Sequence, residues 1–489
     1  MNPLSEPSRV DGGEGRPVRA PAVDPRPAVL GRGGTGGRAA LPWVLAALLF
    51  AVCGAVSVRL HQRMLTSGFD LGIFEQTVRF WAHGQLPVVE LKGPGFQELG
   101  DHFSPILATL APFYRIWPSP CTLLLAQAAL LAVAAVPLAR WALQAIGPLA
   151  AWTVGLGYGL SWGIASAVGF DFHEVAFAVP LLAFSLCALG RGRPHAAALW
   201  ALPLLLVKED LGLTVAVIGL LIALRGSRRW GLATACAGIA GSLLEVLVVI
   251  PAFNPGGQYT YAAQLGGASS GVAQAAYHGT VALVAAPGPK SVTLVALFAP
   301  TVFLALRSLL VWAVVPTLLW RFASDNPLFW TTGYQYSAVL MPIVFAAFVD
   351  SLVRRPVDRR MTRHLLTVMA AVTVLLLPQF PLFQLAQPRT WHTPPRVATA
   401  LAMMRLIPDG ATVAATNRLA PQLTDRCTVS AFGAPGSRPD PQWIIVDTTA
   451  PPDWSLTPDQ QAQQLDQARA HGYSTAADAG GYLLLHRRG

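Results

Sequence analysis

Charge is scarce in this chain. Only 12% of its 489 residues are Asp, Glu, Lys or Arg, 53% are hydrophobic, and the mean hydropathy is +0.47. Soluble domains carry about 25% charge, so the deficit excludes an ordinary soluble enzyme and leaves a polytopic membrane protein. Cysteine is scarce too. Of the five, Cys53, Cys121, Cys187 and Cys236 fall inside apolar runs and Cys427 stands alone, so no disulfide framework or metal-ligand spacing is visible. Acidic residues are outnumbered, giving a net charge of +10. A nucleic-acid partner would need that excess on one face or stripe, whereas it sits in short clusters beside apolar runs. No nucleic-acid partner is expected, and membrane orientation accounts for the clusters.

Residues 1–40 are rich in Gly, Pro and Arg without apolar periodicity and read as a disordered cytoplasmic tail with no cleavable signal. Apolar runs near 41–60, 119–139, 146–166, 174–190, 195–207, 211–224, 230–251, 287–306, 308–322, 335–353 and 363–385 predict about eleven crossings. Charge checks the count. The tail arginines, Arg191/Arg193, Arg225/Arg228/Arg229 and the cluster from Arg354 to Arg363 all fall on one side, which is then cytoplasmic. The other side receives the loops dense in acidic, histidine and aromatic residues: 61–118, 167–173, 208–210, 252–286 and 323–334. Residues 387–489 turn soluble and predict strands at 411–416, 427–431, 442–447 and 482–487 with a helix at 457–471, a small α/β extracytoplasmic domain.

In the first outer loop, Phe69, Leu71, Ile73, Phe74, Val78, Phe80 and Trp81 share one helical arc, with Glu75, Gln76, Arg79 and His83 opposite. Ser104–Trp117, about 21 Å as a helix, is too short to cross. Both segments predict helices lying on the membrane surface. Asp70 falls inside the apolar arc, where a carboxylate must cap the helix or face a polar cavity. Asp70, Glu75, Asp101 and His102 in this loop form a titratable constellation: the carboxylates can activate a hydroxyl or bind a divalent metal, and His102 can ligate or hold a phosphate. Asp101 could equally cap the helix near Pro105, and Glu75 could pair with Arg79.

Three more segments carry candidates. Asp171, His173 and Glu174 in FDFHEV could complete a metal or phosphate site or merely start a helix. Lys208, in the KED break of a run too short to cross twice, suits an anionic headgroup, though it could snorkel while Glu209 and Asp210 cap the next helix. Trp330, Tyr334 and Tyr336 could stack on a sugar ring or acceptor, or form part of an aromatic belt. Gly155, Gly157, Gly159 and Gly163 suit close helix packing.

FDLGIFEQ with WAHG, GDHFSP with APFY and Gln127, then FDFHE, KED, Tyr334 and Tyr336 resemble a family of bacterial predicted membrane proteins over roughly residues 60–450. That family resembles a distant branch of the GT-C superfamily, integral-membrane glycosyltransferases using polyprenyl-phosphate sugars, akin to the protein mannosyltransferases and the aminoarabinose transferase of lipid A. The resemblance implies a GT-C-like fold, Asp70 as base, Asp101 and His102 beside the donor phosphate or a divalent metal, and Lys208 at that phosphate. The paired Asp-Glu of the mannosyltransferases is missing from the first loop. The expected function is sugar transfer from a polyprenyl-phosphate-linked donor in the cell membrane to an acceptor hydroxyl on the outer face, with inversion. A transporter or lipid flippase, or a non-catalytic scaffold, would use the same charges differently; one broken segment without a matching half argues against transport.

Overall fold

The computed structural model describes residues 35–261, 280–281, 285–449 and 456–487. Most of the expected tail and of the 252–286 loop therefore lies outside the described residues. Residues Ala40–Gly489 form one compact unit of packed helices with a small sheet near the C-terminus.

Among the described residues, four helices are both long and apolar enough to cross a bilayer: Gly37–Gln62, Pro120–Ala145, Arg228–Phe253 and Arg359–Gln379. The other expected crossings correspond to shorter apolar helices, among them Glu174–Gly190, Pro194–Leu206, Leu211–Leu224 and Leu309–Ala323, or to broken stretches. The expected 146–166 run is two helices, Pro148–Gly159 and Trp162–Val168, with extended Ser161 between them. The 287–306 run is α-helical only over Pro287–Phe298 and continues as short 3-10 turns, Ala299–Thr301 and Leu304–Arg307, broken by left-handed Val302 and Phe303. The first helix begins at Thr35 rather than Leu41, extending into the segment expected to be disordered.

Small residues set the helix spacing. A methyl at Gly155 or Gly159 would fall 2.7 or 2.3 Å from the side chain of Leu45 or Leu49, so these glycines let the first helix approach. The pair Leu211–Leu224 and Arg228–Leu244 is tighter still: a methyl at Gly212, Gly219, Gly231 or Gly238 would lie 2.3–2.5 Å from an atom of the facing helix. The central helix Leu340–Arg354 is buried along nearly its whole length.

The sheet has the order β2-β1-β3-β5-β4, where β1 is Thr412–Ala415, β2 Thr428–Ala431, β3 Trp443–Asp447, β4 Tyr473–Ala479 and β5 Tyr482–Arg487. The first three are parallel and the last two antiparallel. Alternation splits their side chains between two layers. Val413, Ala415, Val429 and Ile445 face helix Pro395–Met404 and the first loop, whereas Ala414, Ile444, Val446 and Leu485 face helix Pro458–Ala470. The last helix opens with a capping box from Thr457 and Gln460. Strand β4 was not expected; Gly480 and Gly481, at φ +60° and +81°, close its two-residue hairpin with β5.

The first loop departs from the expected picture in one respect. Helix Ile73–Ala82 does not expose its apolar face, because Leu71, Phe74, Val78 and Ala82 pack against Leu107, Leu110, Tyr114, Leu123 and Phe172. Its polar arc instead seats the sheet. Gln76 Nε2 donates to Val429 O (2.8 Å), and the Arg79 guanidinium donates to Thr424 O and Cys427 O (both 2.9 Å). The second segment, Pro105–Leu110 followed by Ala111–Ile116, does expose Phe113, Ile116 and Trp117.

Candidate active site

The carboxylate of Asp70 stands on a π-helical turn, Gly68–Gly72, entered from extended Ser67. Its Oδ2 accepts from Ser67 Oγ (3.0 Å), and its Oδ1 lies 3.0 Å from His173 Nε2. Asp70 keeps 24% of its side chain exposed while His173 keeps 5%, so the carboxylate is the member of the pair that faces solvent. Ser67 ties in a second acid, because its N–H donates to Asp171 Oδ2 (2.7 Å). Burial and the adjacent Asp70 charge push Asp171 up to about 7.

Asp171 sits at φ +57°, and Gln127 holds the turn that follows. Its Nε2 donates to Asp171 O and Ala167 O, and its Oε1 accepts from His173 N (3.0 Å). The imidazole of His173 is stacked on Phe170 and edge-on to Phe74, and Phe170 touches Tyr334 in turn. The next residue, Glu174, accepts from Lys208 Nζ at 2.7 Å. Asp70 and Lys208 are thus bonded to consecutive residues, whose Cα atoms are about 3.8 Å apart.

From Lys208 the polar seam continues. Glu209 is 2.9 Å from His102 Nδ1 and accepts from Phe103 N (3.3 Å) and from Tyr259 OH (3.0 Å), so its carboxylate is turned to the first loop. Tyr261 stacks on His102 with centroids 4.6 Å apart. Asp101 does not cap the helix at Pro105, where Ser104 is the preceding residue; it pairs with Lys92, which also binds Glu98 at 2.8 Å. Burial opposes ionisation of Asp101, but Lys92 and His102 outweigh it and hold its carboxyl at about 2. Asp210 is at the cap position without a cap hydrogen bond, and burial raises it to about 6 despite Lys208. Lys208 loses some basicity to burial, but Glu174, Glu209 and Asp210 more than restore it and push it up.

The aromatic candidates divide. The Tyr334 and Tyr336 rings lie 6.0 Å apart beside the seam, and Tyr336 is within electrostatic range of both Lys208 and Asp70. Trp330 turns away, its ring 4.4 Å from Lys290 Nζ and its Nε1 donating to Ser324 O. Arg321, fully buried, donates to Phe329 O, Thr331 O and Ser337 Oγ and so shapes the loop that carries the tyrosines.

A family model described as "Predicted membrane protein (DUF2079)" matches residues 60–484. The chain belongs to that family. Two solved structures share the fold of this DUF2079 protein: ArnT from Cupriavidus metallidurans bound to undecaprenyl phosphate, and the same protein in the apo state. The first is 12% identical with a TM-score of 0.53, covering 92% of this chain and 98% of ArnT; the second is 13% identical with a TM-score of 0.50, covering 91% and 98%. At that identity the likeness concerns the fold. No curated protein matches.

Among the described residues, most carboxylates of the seam already have a cationic or imidazole partner. Asp70 is matched by His173, Glu174 by Lys208, Glu209 by His102, and Glu98 and Asp101 by Lys92. Among the described residues no three His, Cys, Asp or Glu side chains are disposed to hold a metal ion. Sequence reasoning missed Ser67, Lys92, Glu98, Tyr259 and Tyr261, which follow no periodicity. Glu209 and Gln127 were legible only as members of the KED and family motifs.

Proposed function

We propose that this protein transfers a sugar from a polyprenyl-phosphate donor to an acceptor hydroxyl on the outer face of the membrane. The observation that carries the reading is the meeting of Asp70 and Lys208 on His173 and Glu174: a carboxylate and an ammonium at one polar seam in an apolar helical unit. The fold shared with ArnT, crystallised with undecaprenyl phosphate, supports it.

An ammonium has three donors and Lys208 gives one to Glu174, leaving two for a phosphate oxygen. Asp70 Oδ2 and Oδ1 face Ser67 and His173, which orient the carboxylate for proton abstraction from the attacking hydroxyl. The hydroxyl oxygen bonds to the anomeric carbon as the polyprenyl phosphate leaves with the electron pair of the broken C–O bond. Attack from the face opposite the leaving group inverts the centre. Tyr334 and Tyr336 are suited to stack on the sugar, His102 and Asp101 to order the polar seam beyond Lys208, and the C-terminal sheet to bind the acceptor.

A panel of radiolabelled undecaprenyl-phosphate sugars, incubated with purified protein and envelope glycans, tests the reading. Asp70→Asn is expected to lower transfer about 10²- to 10⁴-fold, the usual worth of a general base. Full transfer by a folded Asp70→Asn protein would overturn the catalytic assignment.

A further inference from the structure

The turn that carries Asp70 has an unusual support. A helix leaves its first amide N–H groups without partners inside the helix, and here Ser67, at the cap position, makes no side-chain cap bond to them. The acceptors come from far along the chain. Gly68 N donates to Asn417 O at 2.7 Å and Phe69 N to Asn417 Oδ1 at 3.0 Å, so one residue caps two consecutive amides with its backbone and side-chain oxygens.

Asn417 is itself fixed. It follows Thr416 at the carboxyl end of β1, where Thr416 N donates to Ile445 O and Thr416 Oγ1 accepts from Asp447 N. The contact is close: a methyl at Gly68 would lie 2.7 Å from the Ala420 side chain and 3.2 Å from Asn417 O. The carboxylate on the same turn is held from the other side by Ser67 and His173. Its backbone is thus pinned by the C-terminal sheet and its side chain by the helical region.

We propose that Asn417 is a positioning residue, through which the C-terminal sheet fixes the π-helical turn that presents Asp70. The proposal rests on the reading of Asp70 as the base. It gives the sheet a part in the chemistry, since reacting groups must be held within fractions of an ångström.

The test uses the full chain in nanodiscs as wild type, Asn417→Ala and Asn417→Asp, the last keeping the acceptor oxygen. Amide hydrogen exchange over residues 67–72 and transfer from radiolabelled undecaprenyl-phosphate sugars are measured together. In Asn417→Ala, exchange at Phe69 is expected to rise roughly three- to tenfold, the worth of one hydrogen bond, while helix Leu340–Arg354 stays protected. The kcat should fall by about tenfold at unchanged KM for the donor, and Asn417→Asp should restore both quantities. Unchanged exchange at Phe69 overturns the proposal, as does raised exchange with an unaltered kcat. A wild-type protein inert towards every donor refutes the glycosyltransferase reading instead, and exchange at Phe69 then decides alone whether Asn417 holds the turn.

Discussion

Glu75 offers the sharpest test of how the sheet is seated. It is fully buried between the loop helices and the sheet, with Oε1 accepting from Tyr114 OH at 2.9 Å and Oε2 accepting from Thr424 Oγ1. Burial drives its carboxyl from 4.5 to about 8, the Thr424 hydroxyl pulling back and Asp425 pushing further. Its folded-state value is therefore above its unfolded one. The stabilisation is full below about 4.5 and gone once pH passes about 8, because the unfolded chain ionises first. With each tenfold change in proton affinity worth about 1.4 kcal/mol, the loss amounts to at most about 5 kcal/mol. Glu75→Gln supplies the same acceptor to Tyr114 and an N–H toward Thr424 without ever ionising. Thermal unfolding of both proteins from about pH 5 to about pH 9 should show the wild type losing ground to the variant steadily up to about pH 8. Parallel midpoints across that range would refute the reasoning.

Three further outcomes are expected. Lys208→Met alone strands the buried Glu174 carboxylate and should cost about 3–5 kcal/mol, whereas the double change Lys208→Met/Glu174→Gln should fold normally yet bind undecaprenyl phosphate in nanodiscs at least about tenfold more weakly. Gln127→Leu removes the partners of His173 N and Asp171 O and should destabilise by roughly 2–3 kcal/mol in chemical denaturation, with added exchange at His173. In Gly100→Ala the new methyl would lie 2.5–2.6 Å from the Phe253 and Asn254 backbone; exchange over 253–261 should rise while the sheet is unaffected.

The sequence announced what periodicity and charge can carry. The apolar runs marked where helices lie but not where they break, the alternation in residues 411–487 marked four of five strands, and Asp70, His173, Glu174 and Lys208 were each conspicuous as charge or imidazole in apolar surroundings. Strand β4 was hidden because YSTAADA has no alternation of large apolar residues, although Gly480-Gly481 marked its turn. The role of Glu75 was hidden for a different reason. At i, i+4 from Arg79 it looked like half of a surface ion pair, yet the sheet covers both residues and gives each other partners. Asn417 was illegible for the same reason: its partners lie some 350 residues upstream, and only tertiary contact reveals that two loose amides needed an acceptor.

The glycine-lined pair Leu211–Leu224 and Arg228–Leu244 has a mechanical meaning. With glycines along the contact, no side-chain layer separates the two backbones, and the helices interlock along their length. Lys208 and Glu209 sit at one end, where Ser242 Oγ donates to Glu209 O, and at the other Arg225 grips Asp350 at 2.8 Å. Helix Leu211–Leu224 therefore links the lysine of the seam to an ion pair about 21 Å away, at its opposite end.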